Sequence, residues 1–420
     1  MTIKVYQNAK LRQKSGLYDI VVKDGRFEEI SAGASEKYLM AEKIDLGGKL
    51  VCEPYVESHI HLDYVNTAVI SGSKESEKTL FGAINEWSDA KAVLTKDTIK
   101  GRAREAVKGQ VYSGVQYIRT HVDVTDSKLT AFQAISELKE ELRDMVTIQI
   151  IAFPQEGYYS YEGGEGLVEQ AVKMGADVVG GIPHFEFTRE EGVASVKKAF
   201  EIAMKYDKLL DIHCDETDDE QSRFSEIIAS EAYHTGMRER ATASHTCAMG
   251  SYNNAYAYKM MSKYQKSGMN FISCPTENCY LQGRYDGYPR RRGLTRIDEL
   301  EKNGINVSFG QDSISDPWYP LGNGNLMNQV DFGLHLGHIM EAEQINHGLD
   351  YITKNGAKTL HLGESYEMKK GNPASFVVLD SSSEFEAIRN RAGILRSVRN
   401  GKELVVKEPE KVVTGCFEHS

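Results

Sequence analysis

Through the middle of the chain, short apolar runs that end in polar or charged residues alternate with longer stretches of helical apolar spacing. The β-like runs cover 51–61, 117–124, 146–153, 178–182, 209–213, 241–245, 269–273 and 305–310. Helical spacing is clearest over 96–113, 164–174 and 189–206. Eight β-then-α units predict an α/β protein with a (β/α)8 TIM-type barrel over 51–368. A doubly wound open sheet is the alternative, but no G-x-G-x-x-G follows the first run to favour it.

The two ends of the chain pattern differently. Asp19-Ile20-Val21-Val22 runs into a Lys23-Asp24-Gly25 turn and then Phe27-Glu28-Glu29-Ile30, the signature of a hairpin. Near the other end, 375–379 and 395–398 read as strands, and Arg399-Asn400-Gly401-Lys402 as a turn before 404–406. The expectation is a small discontinuous β-sandwich domain, formed by residues 1–50 and 369–420 on either side of the barrel.

Composition narrows the function classes. A chain of 420 residues with 40% hydrophobic residues is long and apolar enough for a large core. Its net charge of -11 argues against a nucleic-acid partner, and Arg290-Arg291-Arg292 is too short a basic cluster to change that. No early apolar run resembles a signal peptide, and no stretch is long enough for a membrane helix. Cys52, Cys214, Cys247, Cys274, Cys279 and Cys416 are scattered rather than arranged as a disulfide framework. A cytoplasmic protein with reduced thiols and no membrane contact is expected.

The ends of the apolar runs carry the chemistry, and in a barrel those ends share one face. The first ends in His59-Ile60-His61. Residues i and i+2 of a strand point the same way, so both imidazoles converge on one point, as a divalent metal requires. The fifth run ends in His213, the sixth in His245, and Asp312 follows the eighth; the second contributes His121. His335, His338, His347, His361 and His419 fit no such pattern. Cys274 and Cys279 lack the spacing of a metal clip and read as strand-end and loop residues. The H-x-E…P-C-x-x-C signature of base-modifying zinc deaminases is absent. Glu216 stands three residues beyond His213, placed to shuttle a proton beside a metal-activated water. Its neighbours Asp215, Asp218, Asp219 and Glu220 read as solvated or helix-capping acids.

Longer blocks carry a resemblance. They are Glu57–Asp63, Phe153–Gly157, Ile182–Arg189, His213–Glu216 continuing to Asp218–Phe224, Ala243–Thr246, Leu281–Arg284 and Asp316–Gly322. Across essentially the whole chain the sequence resembles the bacterial cytosine deaminase family of the amidohydrolase superfamily. The resemblance implies a homo-oligomer with one divalent ion per chain, zinc or iron. His59, His61 and His213 would be ligands, with Asp312 ligating the metal or holding its water. Glu216 would be the proton shuttle, and His245 would steady the attacking hydroxide. Gln155 would hydrogen-bond the amide edge of the ring, and Trp318 would line the substrate site. The superfamily's binuclear members use a lysine on the fourth strand. Here that strand leads into Gly180-Gly181-Ile182-Pro183-His184, which favours a single ion.

Two departures bear on the substrate. Where the family reads His-Asp-Asp, this chain has Gln311-Asp312-Ser313, so the last position is smaller and uncharged. The segment Cys274–Tyr280 is more polar than the family form; its Glu277 could add a carboxylate near the pocket mouth, with a solvated loop acid the favoured reading. The expected reaction is hydrolysis of a cyclic amidine C–NH2 by a metal-bound hydroxide, with release of ammonia. Cytosine or a close analogue is the leading substrate; 5-methylcytosine, creatinine and isoguanine are the alternatives. A dihydroorotase- or hydantoinase-like cyclic-amide hydrolase and a non-catalytic barrel are the rival classes.

Overall fold

The structure, a computed structural model, describes residues 2–68 and 79–410; Cys416 and His419 lie outside them. The chain divides into two compact units, Met1–Pro54 with Glu364–Ser420, and Tyr55–Gly363.

The terminal unit is all β apart from short helical turns. Its strands run in the order Lys402–Val406, Ile394–Arg399, Phe376–Leu379, Leu50–Cys52, Ile3–Leu11, Tyr18–Lys23 and Arg26–Ser31, with Glu42–Asp45 also on Ile3–Leu11. The two ends of the chain meet where Val377 pairs with Cys52 and Val378 with Val51, antiparallel. Both expected hairpins form, and for the same reason. Asp24 and Gly25 (φ 48° and 83°), like Asn400 and Gly401 (φ 50° and 76°), take the left-handed conformations of a tight turn. Tyr6, Phe27 and Phe376 centre the core, with the Tyr6 and Phe376 rings edge to face at 5.0 Å.

The other unit is the barrel. Its eight parallel strands are Tyr55–Ile60, Val115–Asp123, Thr147–Phe153, Val178–Val179, Leu209–Cys214, Ala241–His245, Asn270–Ser273 and Val307–Phe309, each hydrogen-bonded to the next. Helices follow at Lys96–Tyr112, Gly164–Lys173 and Arg189–Lys205, within one residue of the sequence expectation at each end. Thr95 and Thr188 close capping boxes at the start of the first and third of these.

The first run needs correcting. Residues 51–61 form two strands, because Pro54 has no N–H to offer a ladder. Leu50–Cys52 joins the terminal sheet and Tyr55–Ile60 opens the barrel. The fourth run is also shorter than expected, ending at Val179 where Gly180-Gly181 begins.

The ring closes at the level of the site. Ile60 and Asp312 form a parallel bridge. The Asp312 N–H donates to the His59 carbonyl at 2.7 Å, and the His61 N–H to the Asp312 carbonyl at 3.2 Å. Gly310 permits this approach, since a Cβ there would lie 2.6 Å from the His59 Cβ.

Candidate active site

The first strand delivers His59 and His61 to the barrel interior, and both are buried. Glu57, two residues back, holds their backbone in place. One of its carboxylate oxygens accepts from the His59 N–H (3.2 Å) and the Gln311 N–H (2.9 Å), the other from Gln110 Nε2 (3.0 Å). His213 is the last residue but one of the fifth strand, and His245 ends the sixth. His245 and Asp312 have φ of 68° and 67°. That left-handed turn is unusual for non-glycine residues and redirects the chain at the strand end.

The side chains converge. One atom each of His59, His213, His245 and Asp312 lie within 4.8 Å of one another, all buried. His61 reaches the same point, with Nε2 3.0 Å from His213 Nε2 and 3.5 Å from Asp312 Oδ1; His59 Nε2 is 3.4 Å from that oxygen. His59 Nε2, His213 Nδ1 and Asp312 Oδ2 are buried without a hydrogen-bond partner. Burial, then the crowd of neighbouring imidazoles, holds His213 and His121 well below the usual histidine range; burial and His59 do the same for His61. Neutral imidazoles facing one carboxylate are the donor set of a divalent transition metal. The residues fit such an ion.

Four residues behind this set orient it. Ser244 Oγ donates to Asp211 Oδ1 (2.6 Å), and Asp211 is itself paired with the buried guanidinium of Arg119 at 3.1 Å. His59 Nδ1 lies 2.9 Å from the same Ser244 oxygen. Having given its proton to Asp211, that oxygen accepts from His59 Nδ1–H, which leaves the Nε2 lone pair facing the cluster. His121 packs behind, its Nε2 3.1 Å from His59 Nδ1.

The acids separate by partner. Asp215 accepts from Ser222 Oγ (2.8 Å), the Phe224 N–H (2.8 Å) and the Ser225 N–H (3.0 Å). It therefore caps the helix Phe224–Thr235. Asp218 accepts from the Gly283 N–H, and Asp219 from the Gln221 N–H. Glu216 alone of this group lines the narrow cavity above the cluster, and its Oε1 is 3.6 Å from His245 Nδ1. Burial, then Asp312, pushes its carboxyl well above the usual range. A cation at the cluster opposes that rise.

The cavity is walled by His61, Tyr64, Leu80, Gln155, Ile182, His213, Glu216, Glu277, Asp312 and Trp318. Gln155 presents a buried Oε1 with no partner. Beside it, Glu156 is tied to Lys91, which also binds Asp123 at 3.0 Å. Trp318 stacks on Tyr64 at 4.4 Å. Ser313 lies outside this lining, its buried hydroxyl beside the carboxyls of Glu277 and Asp316. His335 and His347 are paired with Asp331 and Asp350, away from the cluster.

For Glu277 the structure bears out the alternative, a carboxylate at the cavity, over the favoured solvated loop acid. Residues Pro275–Leu281 form a helix, begun by a proline at its first position. Glu277 is 2% exposed. Burial, then Asp312, Asp316 and Glu216, drives its carboxyl well above the usual range. Cys279 belongs to this helix rather than to a loop. From the same helix, Asn278 accepts the Cys274 N–H on its amide oxygen and turns its Nδ2 to His245 Nδ1 at 3.1 Å. Tyr64 and Leu80 are further wall residues without a signal of their own in the sequence.

Comparison with known proteins places this geometry. A family model described as "Amidohydrolase family" matches residues 42–405. The chain is 29% identical to N-isopropylammelide isopropyl amidohydrolase of Pseudomonas sp. (strain ADP), over 96% of this chain and 97% of the relative. It is 47% identical to 5-methylcytosine deaminase from Klebsiella pneumoniae, solved with 5-fluorocytosine. The match has a TM-score of 0.95 and covers 98% of this chain and 99% of that one. N-isopropylammelide isopropylaminohydrolase from Burkholderia multivorans shares the fold, at 22% identity and a TM-score of 0.82 over 96% of this chain and 98% of that one.

Proposed function

The chain belongs to the amidohydrolase family, and from that premise we propose that it deaminates 5-methylcytosine hydrolytically, releasing ammonia. The observation that carries this reading is the 47% identity, over nearly the full length, to a 5-methylcytosine deaminase. Ser313 supports it: beside Asp312 the chain carries a small neutral residue rather than a second carboxylate, which suits a ring with an added methyl group. Cytosine is the second substrate, on the same edges without the methyl.

His59, His61, His213 and Asp312 would hold one divalent ion per chain, zinc or iron. Such an ion supplies a water nucleophile that ionises near neutral pH. Gln155, with a donor and an acceptor on one amide, binds the amide edge of the ring. Trp318 covers the cavity beside it. Glu216 delivers a proton to the ring nitrogen next to the reacting carbon and then to the departing amine. His245 and Asp312 orient the attacking oxygen and stabilise charge as it develops. No lysine ends the fourth strand, which supports a single ion. A cytoplasmic enzyme with reduced thiols is consistent with the five described cysteines, all free of disulfides.

The test is ammonia release by purified, metal-analysed protein from 5-methylcytosine, cytosine, isoguanine and creatinine in separate assays. The highest kcat/KM is expected with 5-methylcytosine. A clear preference for creatinine or isoguanine would overturn the substrate. Silence on all four, with two ions per chain, would point to the cyclic-amide hydrolases instead.

A further inference from the structure

Glu277 is a cavity group to which the roles above give no task. It stands in the wall with Gln155, Glu216, Asp312 and Trp318. Its Oε2 is buried and has no hydrogen-bond partner. One oxygen each of Glu216, Glu277 and Asp312 lie within 4.8 Å of one another. The helix that carries it is pinned on both sides: the Thr276 N–H donates to Gln329 Oε1 at 3.2 Å, and Asn278 holds the Cys274 N–H and His245. Glu277 is therefore held facing the cavity by its neighbours.

On the deaminase reading given above, we propose that Glu277 receives the exocyclic amino group of the substrate and restricts the enzyme to amines that carry an N–H. The reacting carbon has three substituents before attack: a ring nitrogen, a ring carbon and the amine. Glu216 serves the ring nitrogen, Asp312 the attacking oxygen, and Gln155 the far edge of the ring. The amine is the polar substituent left, and the Glu277 carboxyl, with Ser313 beside it, keeps a buried oxygen open to accept next to both other acids. An N–H of the amine donates to it. Two methyl groups on the amine remove both N–H donors, set carbon against that buried oxygen and leave it unpaired. Sites built to hydrogen-bond a substrate N–H reject analogues that lack it far more strongly than apolar pockets reject an added carbon.

The experiment uses wild-type, Glu277→Leu and Glu277→Gln enzymes, matched for metal content and melting temperature. For each, kcat/KM is measured on 5-methylcytosine by ammonia release and on its N4,N4-dimethyl derivative by dimethylamine release. Wild type is expected to prefer the primary amine by about 100-fold or more. Glu277→Leu is expected to lose about 100-fold on the primary amine and to narrow the preference below about 10-fold. Glu277→Gln keeps an acceptor oxygen and should fall between the two. An unchanged preference in Glu277→Leu overturns the assignment. If that variant melts early, Glu277→Gln decides: activity within about threefold of wild type with an unchanged preference overturns it equally. Wild type that releases ammonia from no cyclic amine overturns the deaminase reading itself, a result distinct from an active enzyme whose preference ignores Glu277.

Discussion

Ser244 fixes the tautomer of His59. Its hydroxyl, committed as a donor to Asp211, accepts from His59 Nδ1–H across 2.9 Å and so keeps the opposite nitrogen free to ligate. Ser244→Ala removes that acceptor and frees the ring to turn. Partners of this kind are worth about 10- to 100-fold in metal affinity. The variant should lose metal to a competing chelator at correspondingly lower chelator concentration. An unaltered competition curve would show that His121 or the strand backbone already holds the ring.

Glu216→Gln should lower kcat on 5-methylcytosine by about 100- to 10,000-fold, the range for a lost general acid–base group. Metal content should stay at the wild-type level, because His59, His61, His213 and Asp312 are untouched. Near-normal turnover in a metal-replete variant would remove Glu216 from the proton path.

Ser313→Asp returns a carboxylate to the position beside Asp312. The kcat/KM ratio of 5-methylcytosine to cytosine should fall by about 10-fold or more, the scale on which one methyl group is accepted or refused. Steady-state assays on both substrates measure it. A ratio that does not move would place the methyl group elsewhere in the cavity.

Asp215→Ala tests the separation of two adjacent acids. Asp215 is spent on the start of the helix Phe224–Thr235, so its loss should appear as stability. Urea unfolding should show about 2 kcal/mol of destabilisation, at the upper end for a lost helix cap. The surviving folded enzyme should keep its metal and most of its kcat. A collapse of kcat without a change in stability would reverse the roles of Asp215 and Glu216.

Much of this was legible in the chain because the barrel imposes a simple rule. An apolar run that ends in a polar residue puts that residue on the catalytic face, and runs ending at His61, His213 and His245 obey it. The turn signals Asp24-Gly25 and Asn400-Gly401 were legible for a different reason: only a few residue types tolerate their φ. Glu277 was legible only as the less favoured of two readings. An acid in a seven-residue helix has too few turns around it for periodicity to show which face is buried. Its burial is set by strands and loops far away in sequence. Pro54 was a signal of the other kind, present in the sequence and outweighed by the apolar residues around it. Tyr64 and Leu80 have no chemistry to announce them, and only the closed barrel makes them walls of the site.

The bond that shuts the barrel also carries the last of the proposed ligands. Asp312 meets the first strand through Ile60 and His59, and beside it the Gln311 N–H reaches the carboxylate of Glu57, 254 residues earlier. The donor set is thus spread across the whole length of the barrel in translation order. While the ribosome is still making the seventh strand, His59, His61 and His213 have already been synthesised, but the carboxylate that completes their set has not. Capture of an ion by the proposed ligands would consequently be a late event in the life of each new chain, open only to chains whose ends of the barrel have found each other.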